Sequence, residues 1–190
     1  MTQVLKVTSP MPPSVNHYTN IRVVKKGRAY IPVVFKTKEA RDYEKVFKKI
    51  LQQEAKRQIW NIEVNSTQHF YVDAVFYFDR VDKDTSNYDK CLLDTITDSG
   101  IVWKDDNVAL FRPLRIYYDN SNPRIELTIY PVDYVGIFDN KEYLEAFEHK
   151  CNKCTRYKRN CSILKKAKEG RVQEYINKNL ECNKFKEVKE

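Results

Sequence analysis

Apolar and polar positions alternate most sharply near residues 68–79, where Phe70, Val72, Ala74, Phe76 and Phe78 share one side. A two-residue period marks a strand with one buried face. A helical period precedes it. Tyr43, Val46, Phe47, Ile50 and Leu51 recur at three- and four-residue spacing behind Thr37 as N-cap, while Lys45, Lys48, Lys49 and Lys56 line the other faces. A second helix is expected over residues 87–98, capped by Thr85 or Ser86, with Tyr88, Cys91, Leu92, Thr95 and Ile96 as its buried stripe. Gly100 supplies a left-handed stop. Strands follow at about 108–118 and 124–130, the latter placing Ile125, Leu127 and Ile129 on one face.

Residues 3–8 read as a short strand, broken by Pro10-Met11-Pro12-Pro13, and Ser14 to Tyr18 continue as a loop. Residues 21–35 suit a basic hairpin or a mobile arm turning at Lys26-Gly27. The order β-α-β-α-β-β predicts an α+β fold, a mostly antiparallel or mixed sheet with two helices packed on it. Residues 1–135 are expected to form this domain, and 136–190 a small, basic, Cys-rich helical extension that opens with an amphipathic helix over 136–150.

The net charge of +8 is unevenly spread. Residues 21–60 carry twelve Lys or Arg against four Asp or Glu, whereas residues 61–135 carry seven against thirteen. An acidic centre between basic flanks suits a polyanionic ligand whose backbone the cations hold; a solvated lysine-rich surface is the plainer reading. No apolar run is long enough to span a bilayer and no signal-peptide pattern opens the chain, so a soluble, intracellular protein is expected.

Two clusters concentrate the acid: Asp82-Lys83-Asp84-Thr85-Ser86-Asn87 and Trp103-Lys104-Asp105-Asp106-Asn107. Each falls at a junction between predicted elements. If the strands that flank them pair side by side, both clusters can meet at one sheet end. Oxygen ligands there would suit Mg²⁺, with Mn²⁺ as a substitute, and Lys90 would stabilise charge on a phosphate. Asn87 and Lys90 share a polar helix edge near Asp84. The plainer reading is a cap at Asp84 and a β-turn at Asp105-Asp106-Asn107.

The span from Met11 to Tyr130 resembles the RusA family of Holliday-junction resolvases. Met11-Pro12-Pro13-Ser14-Val15-Asn16 is similar to its N-terminal loop, Asp84-Thr85-Ser86-Asn87 to its Asp-x-Asp-Asn motif, and Trp103-Lys104-Asp105-Asp106 to its Trp-x-Asp-Asp segment. Lys90, Asp94 and Gly100 fall at the family's helix spacing, and Arg124 to Ile129 resemble its last strand. The resemblance implies a dimeric, Mg²⁺-dependent endonuclease that nicks branched DNA at four-way junctions in recombination and repair. It would work in the cytoplasm of a bacterial host, phage or prophage encoded, with no membrane and no small-molecule substrate.

Carried over by position, Asp84 and Asp106 are catalytic carboxylates and Lys90 is the catalytic lysine. Asp105 and Ser86 join the metal set, and Asn87 and Asp82 support it. Ser86 stands where the family has an aspartate, which Asp82 or Asp105 would have to replace. A branched-DNA-binding protein with a degenerate metal site is therefore the alternative. Asn16, Lys25, Lys26, Arg28 and Lys90 are expected to touch DNA. Trp103, Tyr18 and Tyr30 could stack on unpaired bases.

Four of the five cysteines, Cys151, Cys154, Cys161 and Cys182, lie beyond residue 150. Cys-x2-Cys followed by two more thiols suits structural Zn²⁺, with His149 a competing ligand and free thiols the alternative. The basic loop Thr155 to Asn160 between them suits a nucleic acid. A helix through Ile163, Leu164, Ala167, Tyr175, Ile176 and Leu180 would bring Cys182 back. Cys91, on an apolar helix face, reads as a core residue.

Overall fold

The computed structural model describes residues 3–64, 67–159, 161–172 and 175–188, which divide into two compact units. The first unit comprises Met1–Ser66 with Phe70–Pro131, and the second Thr67–His69 with Val132–Glu190. No helix among the described residues is long and apolar enough to cross a membrane.

The first unit is built on a four-stranded mixed sheet. Its strands are β1 (Leu5–Pro10), β4 (Phe70–Phe78), β5 (Ala109–Tyr118) and β6 (Arg124–Pro131), in spatial order β1-β6-β4-β5. β6 runs antiparallel to both β1 and β4, whereas β5 lies parallel to β4 along its edge. The alternation in β4 does what its period predicts: all five residues of the apolar set are buried. Ile125, Leu127 and Ile129 of β6 meet them from the next strand. β5 carries Pro113, which an edge strand tolerates because its missing N–H leaves no central ladder broken. A bulge opposite Ala74/Val75 adds Leu114 to β5.

Two helices cover the sheet's apolar face. The first, spanning Lys38–Arg57, is capped by Thr37, whose hydroxyl accepts from the Ala40 N–H at 3.1 Å. Its buried stripe is Ala40, Tyr43, Phe47, Leu51 and Ala55. Val46, expected in the core, is 51% exposed, because the stripe turns past it onto small Ala40 and Ala55. The second helix, Asp89–Ser99, buries Cys91, Leu92, Thr95 and Ile96. It ends at Gly100 in the left-handed conformation, φ 65°. Because it joins two parallel strands, this helix is the crossover of a β-α-β unit.

Where a loop was expected after the prolines, residues Val15–Tyr18 form one helical turn, hereafter α1; the longer helices are α2 (Lys38–Arg57) and α3 (Asp89–Ser99). Residues 21–35 do form a hairpin: β2 (Thr19–Lys26) and β3 (Ala29–Lys36) pair antiparallel as a separate ribbon turning at Gly27.

The second unit holds α4 (Lys141–Asn152) and α5 (Ile163–Lys168) around a small core of Phe138, Leu144, Phe147 and Ala167. α4 begins five residues later than expected, at a cap where Asn140 accepts from the Tyr143 N–H at 2.9 Å. The long helix expected from Ile163 to Leu180 is corrected to six residues. Gly170 ends that turn at φ 77°, and Ile176 instead bridges to Cys182 in extended backbone.

Candidate functional site

Beyond the end of β4, Lys83 reaches back to Asp79 at 2.6 Å and lies over the ring of Tyr88, which packs on Phe78. The turn so anchored presents Asp84. One carboxylate oxygen of Asp84 accepts the Ser86 N–H at 3.1 Å, closing a 3-10 turn over Thr85–Asn87. The cap expected at Thr85 or Ser86 therefore belongs to Asp84, and α3 starts two residues late with Tyr88 at its cap position. A carboxylate is the stronger acceptor for the free N–H groups of a turn. Asp84 and Ser86 are exposed, and Asn87 is half-buried. Asp82, also exposed, is held by Arg80 at 2.8 Å.

One turn along α3, Lys90 pairs with Asp94 at 3.2 Å. Asp94 in turn accepts from the Tyr18 hydroxyl at 2.8 Å. Lys36 sits over the Tyr18 ring and pairs with Glu44 and Asp98, and Lys48 also reaches Asp98 at 3.4 Å. Burial, then the bond to Asp94, pushes the Tyr18 phenol well above its ordinary range. Burial opposes the charge of Lys36, yet Glu44 and Asp98 hold its ammonium well above its usual value. This network ties α1, β3 and α2 to the polar edge of α3. Nothing in the spacing of Tyr18 or Lys36 announced it, since their partners lie 76 and 62 residues away.

The second acidic cluster repeats the capping device. Asp105 accepts the Asn107 N–H at 3.0 Å and closes a 3-10 turn over Asp106–Val108. Asp105 is exposed and Asp106 half-buried. Trp103 anchors the turn from below: it is fully buried against Phe70 and donates to the Thr97 hydroxyl at 2.7 Å.

The two clusters do not meet within one chain. Because β4 and β5 are parallel, Phe70 pairs with Ala109 and Phe78 with Tyr118. Asp84 therefore follows one end of the pair, and Asp106 precedes the other. α3 spans the gap with eleven residues, roughly 16 Å at 1.5 Å per residue. The expectation of a shared sheet end is corrected: side-by-side pairing is found, but its direction separates the carboxylates. Among the described residues no three Asp, Glu, His or Cys side chains are grouped to hold a metal. Taken singly, Asp84 fits the hard-cation chemistry of Mg²⁺, which takes one or two carboxylates and fills its shell with water and phosphate. Asp84 retains a second oxygen outside its capping bond to the Ser86 N–H.

The β2–β3 ribbon carries Lys25, Lys26 and Arg28 at its exposed tip, and Asn16 is exposed on α1. Tyr30 is 70% exposed beside them. Trp103 and Tyr18 are corrected as stacking residues: both are buried, Trp103 at 0% and Tyr18 at 3% exposure, with their polar atoms already bonded.

All five cysteines are free thiols. Burial pushes the Cys91 thiol up to about 12, so it behaves as a small apolar core residue. In the second unit, Cys151 lies in the last turn of α4 and Cys154 follows in a turn, while Cys161 precedes α5 and Cys182 lies in the bridge to Ile176. Burial, and then the neighbouring Cys182, Cys161 and Cys154, push the Cys151 thiol up to about 11. Of the basic loop after Cys154, Asn160 lies outside the described residues.

The family model for Endodeoxyribonuclease RusA matches residues 10–130, from the end of β1 to the end of β6. No curated protein matches the chain.

Proposed function

Because the chain belongs to the RusA endodeoxyribonuclease family, we propose that it is a homodimeric nuclease that cuts branched DNA at four-way junctions in recombination and repair. Hydrolysis depends on Mg²⁺, or Mn²⁺ in its place, held by carboxylates from the two acidic turns. The single observation that carries this reading is the pair of capping turns at opposite ends of α3, each presenting aspartates outside the core. Capping accounts for Asp84 and Asp105, but not for Asp106, which lies beside a cap without serving as one.

The separation along α3 supports a site shared between two subunits. A two-fold axis that sets two α3 helices antiparallel would bring Asp84 of one chain to Asp106 of the other, twice. Such isologous assembly also matches the two-fold symmetry of a four-way junction, whose opposing strands are nicked in pairs. A divalent cation bound there neutralises charge on the scissile phosphate and lowers the pKa of a bound water. Asp84 and Asp106 would hold the cation. Asp105 and Ser86 would complete its shell, while Asp82 and Asn87 would orient the loop. Lys90, 60% exposed in its weak pair with Asp94, is free to swing onto a phosphate oxygen. Asn16, Lys25, Lys26 and Arg28 hold the backbone of the arms. With this substrate the protein would work in the cytoplasm of a bacterial host.

One observation favours a second reading. Ser86 replaces a carboxylate of the family motif, and a neutral hydroxyl contributes little to cation affinity. A protein that binds junctions without cutting them would tolerate it. Cleavage of a labelled four-way junction against linear duplex, in Mg²⁺ and Mn²⁺, separates the two. Paired nicks that disappear in Asp84→Asn support the nuclease; tight binding of the junction without nicks, in both metals, supports the binding protein.

A further inference from the structure

The second unit has too little core for its length. Six buried apolar side chains, Val132, Phe138, Leu144, Phe147, Ile163 and Ala167, serve the described residues from Val132 onward. After Lys168 the described residues form only turns and isolated bridges. Chains of this size with so small a core need a covalent or metal staple.

Backbone hydrogen bonds draw the cysteine-bearing segments of this unit together. The Cys154 N–H donates to the Cys151 carbonyl at 2.9 Å, making a tight turn that carries two thiols. The Phe185 N–H donates to the Cys182 carbonyl at 3.0 Å in a second such turn. The two turns are laced together: Thr155 N–H donates to Lys186 O at 2.8 Å, and Val188 N–H to Lys153 O at 2.9 Å. Cys151 and Cys182 both pack on the small core and line one groove with His149. Cys161 lines a neighbouring groove with Tyr175 and Lys184, the residue two beyond Cys182.

We propose that Cys151, Cys154, Cys161 and Cys182 bind one structural Zn²⁺ that staples the second unit. Each thiol loses its proton to solvent on binding, and four thiolates complete a tetrahedral shell around the ion. The resulting double negative charge falls between two grooves in which Lys150, Lys153, Arg156, Lys166 and Lys184 outnumber Glu181 and Glu187. Since no three of these side chains stand grouped at coordinating geometry among the described residues, binding requires the thiol rotamers to turn inward. Zinc suits the set better than a hard cation because all four donors are sulfur. The inference concerns a different unit from the nuclease reading and stands or falls without it.

The test is zinc content of the full chain, purified without chelator, by elemental analysis, with Co²⁺ substitution read by its thiolate-to-metal absorption. One zinc per chain, with a tetrahedral tetrathiolate Co²⁺ spectrum, is the expected result. Cys154→Ser and Cys161→Ser should each drop the stoichiometry towards zero, while Cys91→Ala keeps it at one. Chelation should also lower the thermal midpoint of the wild type, a measurement that does not depend on any variant folding. Less than a tenth of an equivalent of zinc in the wild type overturns the proposal, as does a disulfide among these cysteines in the freshly isolated chain. Zinc that survives Cys161→Ser but is lost in His149→Ala would overturn the four-sulfur set.

Discussion

Tyr18 donates its phenol to Asp94 across 2.8 Å, joining the turn after the Pro-Pro-Ser loop to the polar edge of α3. The tyrosine is buried, and its ring lies beneath the ammonium of Lys36. Asp94 thereby holds Tyr18 with one oxygen while Lys90 pairs with the same carboxylate, so the loop and Lys90 share one anchor. Tyr18→Phe should cost about 1–2 kcal/mol of stability, since it leaves a partly buried carboxylate short of a donor. Urea unfolding measures that cost. If the shared anchor positions Lys90, kcat for junction cleavage falls more than KM rises.

A site divided between subunits has a signature that no single variant gives. Asp84→Asn and Asp106→Asn homodimers should each lose about 100-fold or more in cleavage rate, the loss of several kcal/mol of metal-assisted stabilisation. Mixing the two variants to form heterodimers should recover one competent site, because one composite site receives both asparagines and the other receives neither. The recovered activity nicks one strand without its paired partner. Heterodimers that remain inactive would place the carboxylates of each site in a single chain.

Restoring a carboxylate beside Asp84 tests the role of Ser86. Ser86→Asp should lower the Mg²⁺ concentration needed for half-maximal cleavage several-fold, without tightening junction binding in EDTA. The side chain is exposed, so the substitution should leave stability within ~0.5 kcal/mol of the wild type. An unchanged Mg²⁺ requirement would remove Ser86 from the metal set.

At the ribbon tip, Lys25, Lys26 and Arg28 have no packing to lose. Replacing each by Gln should weaken binding to all junction sequences alike, and should reduce the slope of log K against log salt by about 1 for each phosphate contact removed. Fluorescence titration at several salt concentrations reads both. A slope that does not change assigns these cations to solvent.

The Lys36–Asp98 pair makes an opposite prediction at each end of the pH scale. Burial works against the charge of Asp98, but Lys36 and Lys48 hold its pKa below the ordinary 3.8. Its contribution is therefore present above that value and is lost as pH falls through the depressed pKa. The pKa of Lys36 is raised above the ordinary 10.5, so its contribution is present below that value and is lost as pH rises through the raised pKa. Asp98 is 45% exposed, so Asp98→Asn should cost only about 0.5 kcal/mol at neutral pH. The difference from wild type should close in acid, as thermal midpoints between pH 2 and 7 would reveal.

The β4 strand, the stripe of α3 and its glycine stop were legible in the residues alone, because burial on one face imposes a period that sequence records directly. The family was legible for the same local reason, because the short motifs that carry the resemblance are local in sequence. Tertiary structure decided the rest. Whether β5 joins β4 parallel or antiparallel leaves the same alternation in both strands, yet it determines that α3 must cross the sheet and carry the two acidic turns apart. Trp103 could have been read equally well as a base-stacking side chain or a core anchor until Phe70 and Thr97 closed around it. Val46 fits the helical period of α2 but lies outside the arc that Ala40 and Ala55 define. In the second unit, Gly170 and the bridge from Ile176 to Cys182 overrule the apolar spacing that suggested one long helix. Local pattern specifies which face of an element is apolar; strand direction and long-range packing specify what that face meets, and hence which side chains share a site.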